Sequence, residues 1–178
     1  MPREPVSSEP PFAEQLLGQA GTLYNFARHL CRDPALAEDL VQDTFARALD
    51  AESKFALGSN LKAWLFRILR NAYVDGRRRD RRSPVALSPK GDDREPATPD
   101  VWLRGDIEID RLRGLVARDI DAALSRLSED ARTVILLDLE GCTETEIAHV
   151  MDVATGTVKS RLARARAVLR ELLQEYAK

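Results

Sequence analysis

Five cations, Lys159, Arg161, Arg164, Arg166 and Arg170, fall between Thr155 and Arg170 with no acidic residue among them. This is chemistry for holding and reading a polyanion: ammonium and guanidinium groups pair with phosphate oxygens, and the guanidinium fork also fits the acceptor edge of guanine. Cations in the last turn of a helix are favoured by its dipole, but these begin close to a helix start, where the dipole disfavours them. That placement needs another cause, and contact with DNA supplies one. A second basic stretch, Lys62 to Arg82, differs in kind. Here Lys62, Arg67, Arg70 and Arg77 interleave with Phe66 and Tyr73, and Arg77-Arg78-Arg79 and Arg81-Arg82 extend the field. Bases stacked on aromatic rings, with phosphates on neighbouring cations, are how single-stranded nucleic acid is held. The same two aromatics are also suited to packing against a neighbouring helix, and the sequence leaves both readings open.

Bond-making chemistry has little to work with. Cys31 and Cys142 lie far apart without a CxxC or histidine spacing for zinc, and are read as reduced thiols. His29 and His149 stand alone, and there is no phosphate-binding glycine loop or nucleophile elbow. No catalytic residue, metal or cofactor is therefore expected. With no leader and no run of 18 apolar residues, a cytoplasmic protein without a membrane span is expected. The net charge of -2 and the pI of about 5.8 conceal a segregation, because Asp92, Asp93, Glu95, Asp100, Asp106, Glu108 and Asp110 make the middle acidic between two basic patches. Two patches separated by an acidic bridge imply two separate contacts.

The elements that must position these residues are helical throughout. Thr143 and Glu146 have the spacing of a capping box, so a short helix begins there and carries Ile147, Ala148 and Met151 inward. After Asp152-Val153-Ala154, Thr155 is expected to cap a second helix. Its apolar stripe is Val158, Leu162, Ala165, Leu169 and Leu172, while Gly156, Thr157, Ser160, Ala163 and Arg164 lie largely opposite. Short helix, tight turn and basic helix make a helix-turn-helix whose second helix is the reader.

Upstream, residues 1–11 mix Pro, Ser and charge without periodicity and are expected to be a disordered lead-in. From Phe12, Leu16, Leu17, Leu23, Phe26, Ala27 and Leu30 recur at helical spacing. Asp33-Pro34 gives a cap and a helix start, with Leu36, Leu40, Val41, Phe45 and Leu49 expected inward and Glu38, Asp39, Gln42, Asp43 and Arg47 outward. Ser53 to Asn60 forms a loop, Ser59 or Asn60 caps the next helix, and Leu61, Trp64, Leu65, Ile68, Leu69 and Ala72 make its packed side, with Trp64 favoured as a core anchor. Residues 83–105, rich in Pro and polar groups early on, read as a flexible linker between domains 12–82 and 106–178. The second domain continues with periodic apolar residues from Ile107 to Leu127, a Ser128 cap, a body of Val134, Ile135, Leu136, Leu137 and Leu139, and a stop at Gly141. The expected fold is all-α: two small helical domains, the C-terminal one carrying the helix-turn-helix.

In combination, DPALAEDLVQDTFARAL, LKAWLFRILRNAYVDGRRR and LSEDARTVILLDLEGCTETEIAHVMDVATGTVKSRLARAR resemble the extracytoplasmic-function sigma factors, small alternative initiation subunits of bacterial RNA polymerase. The resemblance covers about Tyr24 to Leu173 and carries several expectations. Asp39, Gln42, Asp43 and Arg47 would meet the clamp helices of the polymerase largest subunit. Phe55 and Asn60, at the two ends of the loop that captures a flipped base, would join Lys62, Arg67, Arg70, Asn71 and Arg77 in recognising and melting the minus-10 element. Thr157, Lys159, Ser160, Arg161 and Arg164 would read the minus-35 element, and the second domain would touch the flap of the other large subunit. An anti-sigma factor is the expected regulator. The turn departs from the family pattern, with Asp152 where glycine is frequent. Spanning two promoter elements asks for on the order of 70 Å, against ~25 to 30 Å for a relaxed linker, so the linker must be held nearly straight. Its acidic residues point to a basic channel on the polymerase as the holder. The competing reading is a dimeric regulator with the same helix-turn-helix, which leaves Lys62 to Arg82 unexplained.

Overall fold

The computed structural model describes residues 10–56, 58–82 and 107–174, with side chains over 10–56, 58–79 and 116–174. Most of the lead-in, the 83–105 linker with Asp92, Asp93, Glu95 and Asp100, and Leu57 lie outside the described residues. Among those described there are helices and no strand, in two helical domains. The first comprises α1 (Phe12–Leu17), α2 (Ala20–Cys31), α3 (Pro34–Asp50), a 3-10 turn (Glu52–Lys54) and α4 (Leu61–Arg82). The second comprises α5 (Ile107–Ser125), α6 (Glu129–Leu139), α7 (Glu144–Met151) and α8 (Thr155–Leu172).

Local chemistry sets the helix ends. Asp33 accepts hydrogen bonds from the amides of Ala35 and Leu36 at 2.8 and 3.1 Å, and Pro34 at the first helical position removes an amide that would otherwise lack a partner. Asn60 does the same for α4, its Oδ1 accepting from the Ala63 amide at 3.2 Å. Ser128 accepts from Ala131 at the start of α6, and Gly141, at φ 81°, turns the chain out of it.

α3 packs differently from the expected pattern. Its buried stripe is Ala37, Val41, Thr44 and Ala48, while Leu36 and Leu49 are exposed and Leu40 and Phe45 only flank the core. Small residues at i, i+4, i+7 and i+11 let α3 lie close to α2 and α4, and this moves the large leucines to the outer face. Leu17 and Leu139, also expected inward, are 66% and 73% exposed, and Val116, Ile120 and Leu172 are exposed too. In α4 the buried set includes Phe66, whose ring meets Phe26 at 4.7 Å between centroids, and Tyr73 donates its hydroxyl to the Leu30 carbonyl at 3.1 Å. Both aromatics pack on α2, which decides the alternative that the sequence left open. Trp64 is half-buried against Phe12 and Phe55, consistent with an anchor.

The two domains meet. Their buried apolar residues form one cluster, running from Leu23, Phe26 and Phe66 to Val134, Ile147 and Leu162. Arg132, only 6% exposed, donates Nε to Leu124 O and Nη2 to Ser125 O and Leu127 O at the end of α5, and Nη1 to His29 O in the last turn of α2. Arg32 also reaches the Ser125 carbonyl, at 3.3 Å. Helix C-termini present carbonyls without intrahelical partners, so a guanidinium with several donors satisfies two helix ends at once.

Cys31 is half-buried, Cys142 is buried, and both are free. Burial pushes each thiol up to about 11. No described helix is long and apolar enough to cross a membrane.

Candidate nucleic-acid interface

The C-terminal reader is built on the α7–α8 turn. Thr143 accepts from the Glu146 amide at 3.2 Å while Glu146 Oε2 accepts from the Thr143 amide at 2.7 Å, closing the capping box. Donors to the Glu146 carboxyl, the Thr143 amide foremost and then the Thr143 hydroxyl and Asn60 Nδ2, hold it below the usual carboxylate range. Asp152 takes the left-handed conformation at φ 54°, and the Val153 amide returns to Ala148 O. Aspartate tolerates that region better than most residues, so the turn forms without glycine. Ala154, with no side-chain bond, is the N-cap of α8, one position earlier than the expected Thr155, which is instead the first helical residue. Without a side-chain oxygen at the cap, the start of α8 rests on its buried face of Val158, Leu162 and Ala165.

The five candidate minus-35 residues divide. Lys159, Ser160 and Arg164 are exposed, and Thr157 is half-buried beside them. Lys159 reaches Glu144 at 3.5 Å, a solvent-screened pair; Ser160 donates to Thr157 O, and Arg164 Nε to Ser160 O. Arg161 is turned aside: its Nη2 pairs with Asp130 of α6 at 2.8 Å, and its Nη1 is buried without a partner. Of the candidate cations of α8, Lys159 and Arg164 thus face outward, while Arg161 braces α8 on α6, as does Arg166 through Asp138 at 2.7 Å.

The candidate minus-10 residues line α4 and the loop before it, and several already have partners. Phe55 stacks with Trp64 at 5.3 Å and Phe12 at 5.8 Å. Asn60 Nδ2 donates to Glu146 Oε1 at 2.8 Å. Lys62 donates to the Glu140 carbonyl and lies 3.4 Å from its carboxylate. Arg67 Nη1 meets Nε2 of His149, and Arg77 pairs with Glu129 while touching the Tyr73 hydroxyl. Arg70 is half-buried and Asn71 exposed. Glu129, Glu140, Glu146 and His149 were not singled out as partners of α4. They lie 52 to 86 residues from the groups they meet, and no local pattern joins them.

The candidate polymerase face is the outer side of α3. Asp39, Gln42 and Asp43 are exposed, Arg47 pairs with Asp43 at 2.9 Å, and the exposed Leu36 and Leu49 flank them. Acid, amide and apolar groups on one open face suit a protein partner better than DNA. Among the described residues no group of three or more His, Cys, Asp or Glu is placed to hold a metal ion.

The family models for Sigma-70 region 2 and Sigma-70 region 4 match residues 19–83 and 117–169. The chain is 34% identical over 161 residues to the ECF RNA polymerase sigma factor EcfG of Rhodopseudomonas palustris, covering 90% of this chain and 83% of that one. It is 37% identical over 159 residues to the ECF RNA polymerase sigma factor SigL of Mycobacterium tuberculosis, covering 88% and 85%. Among solved structures, it resembles the sigma factor RpoE in complex with the anti-sigma factor NepR from Bartonella quintana. The TM-score is 0.69 at 36% identity, over 92% of this chain and 96% of that one. CnrH in complex with the cytosolic domain of CnrY is similar with a TM-score of 0.61 at 28% identity, over 92% and 88%.

Proposed function

This chain belongs to the extracytoplasmic-function RNA polymerase sigma factors, and from that premise we propose how its surfaces divide the work of promoter-specific initiation. Residues 12–82 act as the core-binding and minus-10 domain, 106–178 as the minus-35 domain, and 83–105 as the linker between them. On the outer face of α3, Asp39, Gln42, Asp43 and Arg47 dock on the clamp helices of the polymerase largest subunit, with Leu36 and Leu49 adding apolar contact. Phe55, Asn60, Lys62, Arg67, Arg70, Asn71 and Arg77 take the minus-10 strand as it opens. Thr157, Lys159, Ser160 and Arg164 enter the minus-35 major groove, where Arg161 positions the helix more than it reads a base. The second domain also touches the flap of the other large subunit. Work of this kind is binding and strand capture, with the chemistry left to the polymerase, in the cytoplasm. An anti-sigma factor controls access, as the complexes of the relatives RpoE and CnrH suggest.

The observation that carries this reading is the coexistence, in one chain, of two cationic helices and a third helix whose outer face is acidic and apolar. A dimeric operator-binding regulator needs the second basic helix but neither of the other two surfaces. Mixing the purified chain with core RNA polymerase on genomic DNA and sequencing the transcripts tests it. Starts clustered behind a shared pair of elements are expected, and Asp39→Lys with Asp43→Lys should abolish capture of the polymerase. Starts that are random, or tight binding to a palindrome without polymerase, would overturn it.

A further inference from the structure

The loop assigned to minus-10 base capture is fixed at its two ends by different means. At the far end Asn60 caps α4 through the Ala63 amide. Between the ends the chain closes a turn on itself: Ala56 O accepts from the Ser59 amide at 3.0 Å and from the Ser59 hydroxyl at 2.6 Å, and Gly58 takes φ 84°. A Cβ added at Gly58 would meet nothing within 4 Å, so there is open space beside the tip. At the near end Phe55, in extended conformation, is held by aromatic rings, Trp64 of α4 at 5.3 Å and Phe12 of α1 at 5.8 Å between centroids. Phe12 also meets Trp64 edge-on at 6.2 Å, which closes a cluster of three rings. Phe12 is not what fastens α1. Leu16, one turn later, is 2% exposed and ties α1 to the core, while Phe12 is half-buried. A six-residue helix without a side-chain cap has little stability of its own, so its packing decides where the Phe12 ring lies.

We propose that Phe12 is a positioning residue for the minus-10 loop: its ring clamps Phe55 against Trp64 and so fixes the turn that a flipped base must fit. A site discriminates between bases only as far as its walls hold still, and a loop free to yield at Phe55 would adapt to several of them. Asn60 holds one end of the turn through the backbone of α4, so the ring cluster is the end at which the loop could give way. Phe12 touches no DNA in this role. It sets how sharply the loop chooses, and it brings α1, which carries none of the candidate DNA contacts, into promoter recognition. Ring pairs of this kind are each worth roughly a two- to ten-fold factor in an equilibrium.

The inference rests on the assignment of residues 55–60 to base capture, and the test separates the two. Core RNA polymerase loaded with the full chain is given a promoter library whose minus-10 positions are randomised downstream of one minus-35 element taken from mapped starts. Base preference at each position is read from the transcripts. Phe12→Leu keeps apolar bulk and removes the ring, and Phe12→Tyr keeps the ring. Phe26→Leu removes a ring pair of the same kind, Phe26 on Phe66 at 4.7 Å, deep in the same domain. Phe12→Leu should flatten the preference at one position by about two- to ten-fold, with polymerase capture and the remaining positions unchanged. Phe12→Tyr should retain the preference, and Phe26→Leu should not flatten it. An unchanged preference in Phe12→Leu, or equal flattening in Phe26→Leu, overturns the positioning role. Loss of polymerase capture in Phe12→Leu overturns it too, since the ring would then hold the domain as a whole. Ser59→Ala with Asn60→Ala tests the loop itself. If that pair alters the preference and Phe12→Leu does not, the positioning role alone falls; if the pair alters no position, the capture assignment falls and the positioning role with it.

Discussion

α4 and α8 are both basic helices, yet they use their cations in opposite ways. α8 keeps Lys159, Arg164 and Arg170 exposed, with Glu144 as a loose screened neighbour of the first, and pairs Arg161 and Arg166 with Asp130 and Asp138 of α6, within its own domain. α4 turns Lys62, Arg67 and Arg77 onto acceptors from another domain. The helix proposed to read duplex DNA keeps an open basic face, and the helix proposed to take the melted strand meets the second domain. A charge pattern on one helix thus marks where a polyanion is welcome, but which cations are open depends on partners that lie elsewhere in the chain.

The largest test of this contrast is Arg132→Leu. It strips buried carbonyls of Leu124, Ser125, Leu127 and His29 of a charged donor, and should cost about 3 kcal/mol or more in a urea melt, since each unsatisfied buried acceptor costs ~1 to 3 kcal/mol. A loss below about 1 kcal/mol would show that water replaces the guanidinium at these carbonyls. Next come the two arginines of α8. Arg164→Ala should weaken binding to a minus-35 duplex by ~1 to 3 kcal/mol if it reads a base, or lower the salt slope by about one if it holds a phosphate. Arg161→Ala should change duplex binding less and instead lower thermal stability; the reverse ranking would mean that Arg161 swings away from Asp130 to meet DNA.

Smaller still is Asp152→Gly. Relieving the left-handed conformation of a non-glycine residue should stabilise the second domain by up to about 1 kcal/mol in chemical denaturation, part of the gain being lost to glycine's extra freedom when unfolded. A destabilised variant would mean that the Asp152 side chain contributes to the turn. The gentlest probe is pH. Burial lowers the His29 value, Asp121 at 3.9 Å pulls the other way, and Arg132 and Arg28 add to the lowering. The folded form therefore binds fewer protons at this ring than the unfolded one does. This contribution is complete above about pH 6.5 and is lost progressively as pH falls below it. Melting temperature should decline between pH 7.5 and 5.5, and His29→Gln should flatten part of that slope; an identical slope in the variant would assign the effect to other groups.

Much of the fold was legible because local rules govern it. Asp33-Pro34, Ser128, the Thr143–Glu146 box and Gly141 each set a helix end from residues a few positions apart. What escaped was non-local. Leu36 and Leu49 have helical spacing, but the stripe of Ala37, Val41, Thr44 and Ala48 beats them because close helix approach rewards small side chains. The spacing of Phe66 and Tyr73 fits base stacking and helix packing alike, and only α2, with Phe26 and the Leu30 carbonyl, decides between them. Arg132 carries no signal in the sequence, since its partners are backbone carbonyls that no composition reveals. For the interface, cation identities were readable, whereas their division into open and paired sets needed the contacts between helices far apart in sequence. The turn at Asp152 shows the opposite lesson: aspartate takes the left-handed conformation there, so a departure from glycine still allows a turn.

Cys31 and Cys142 have a further consequence. With both thiols raised to about 11, only on the order of one molecule in ten thousand carries a thiolate at either position at neutral pH. Peroxides and disulfides react with the thiolate, so these sulfurs are slow targets. The chain is chemically deaf to oxidants through its own cysteines, so an oxidative alarm that acts on thiols has to be sensed by another molecule and relayed.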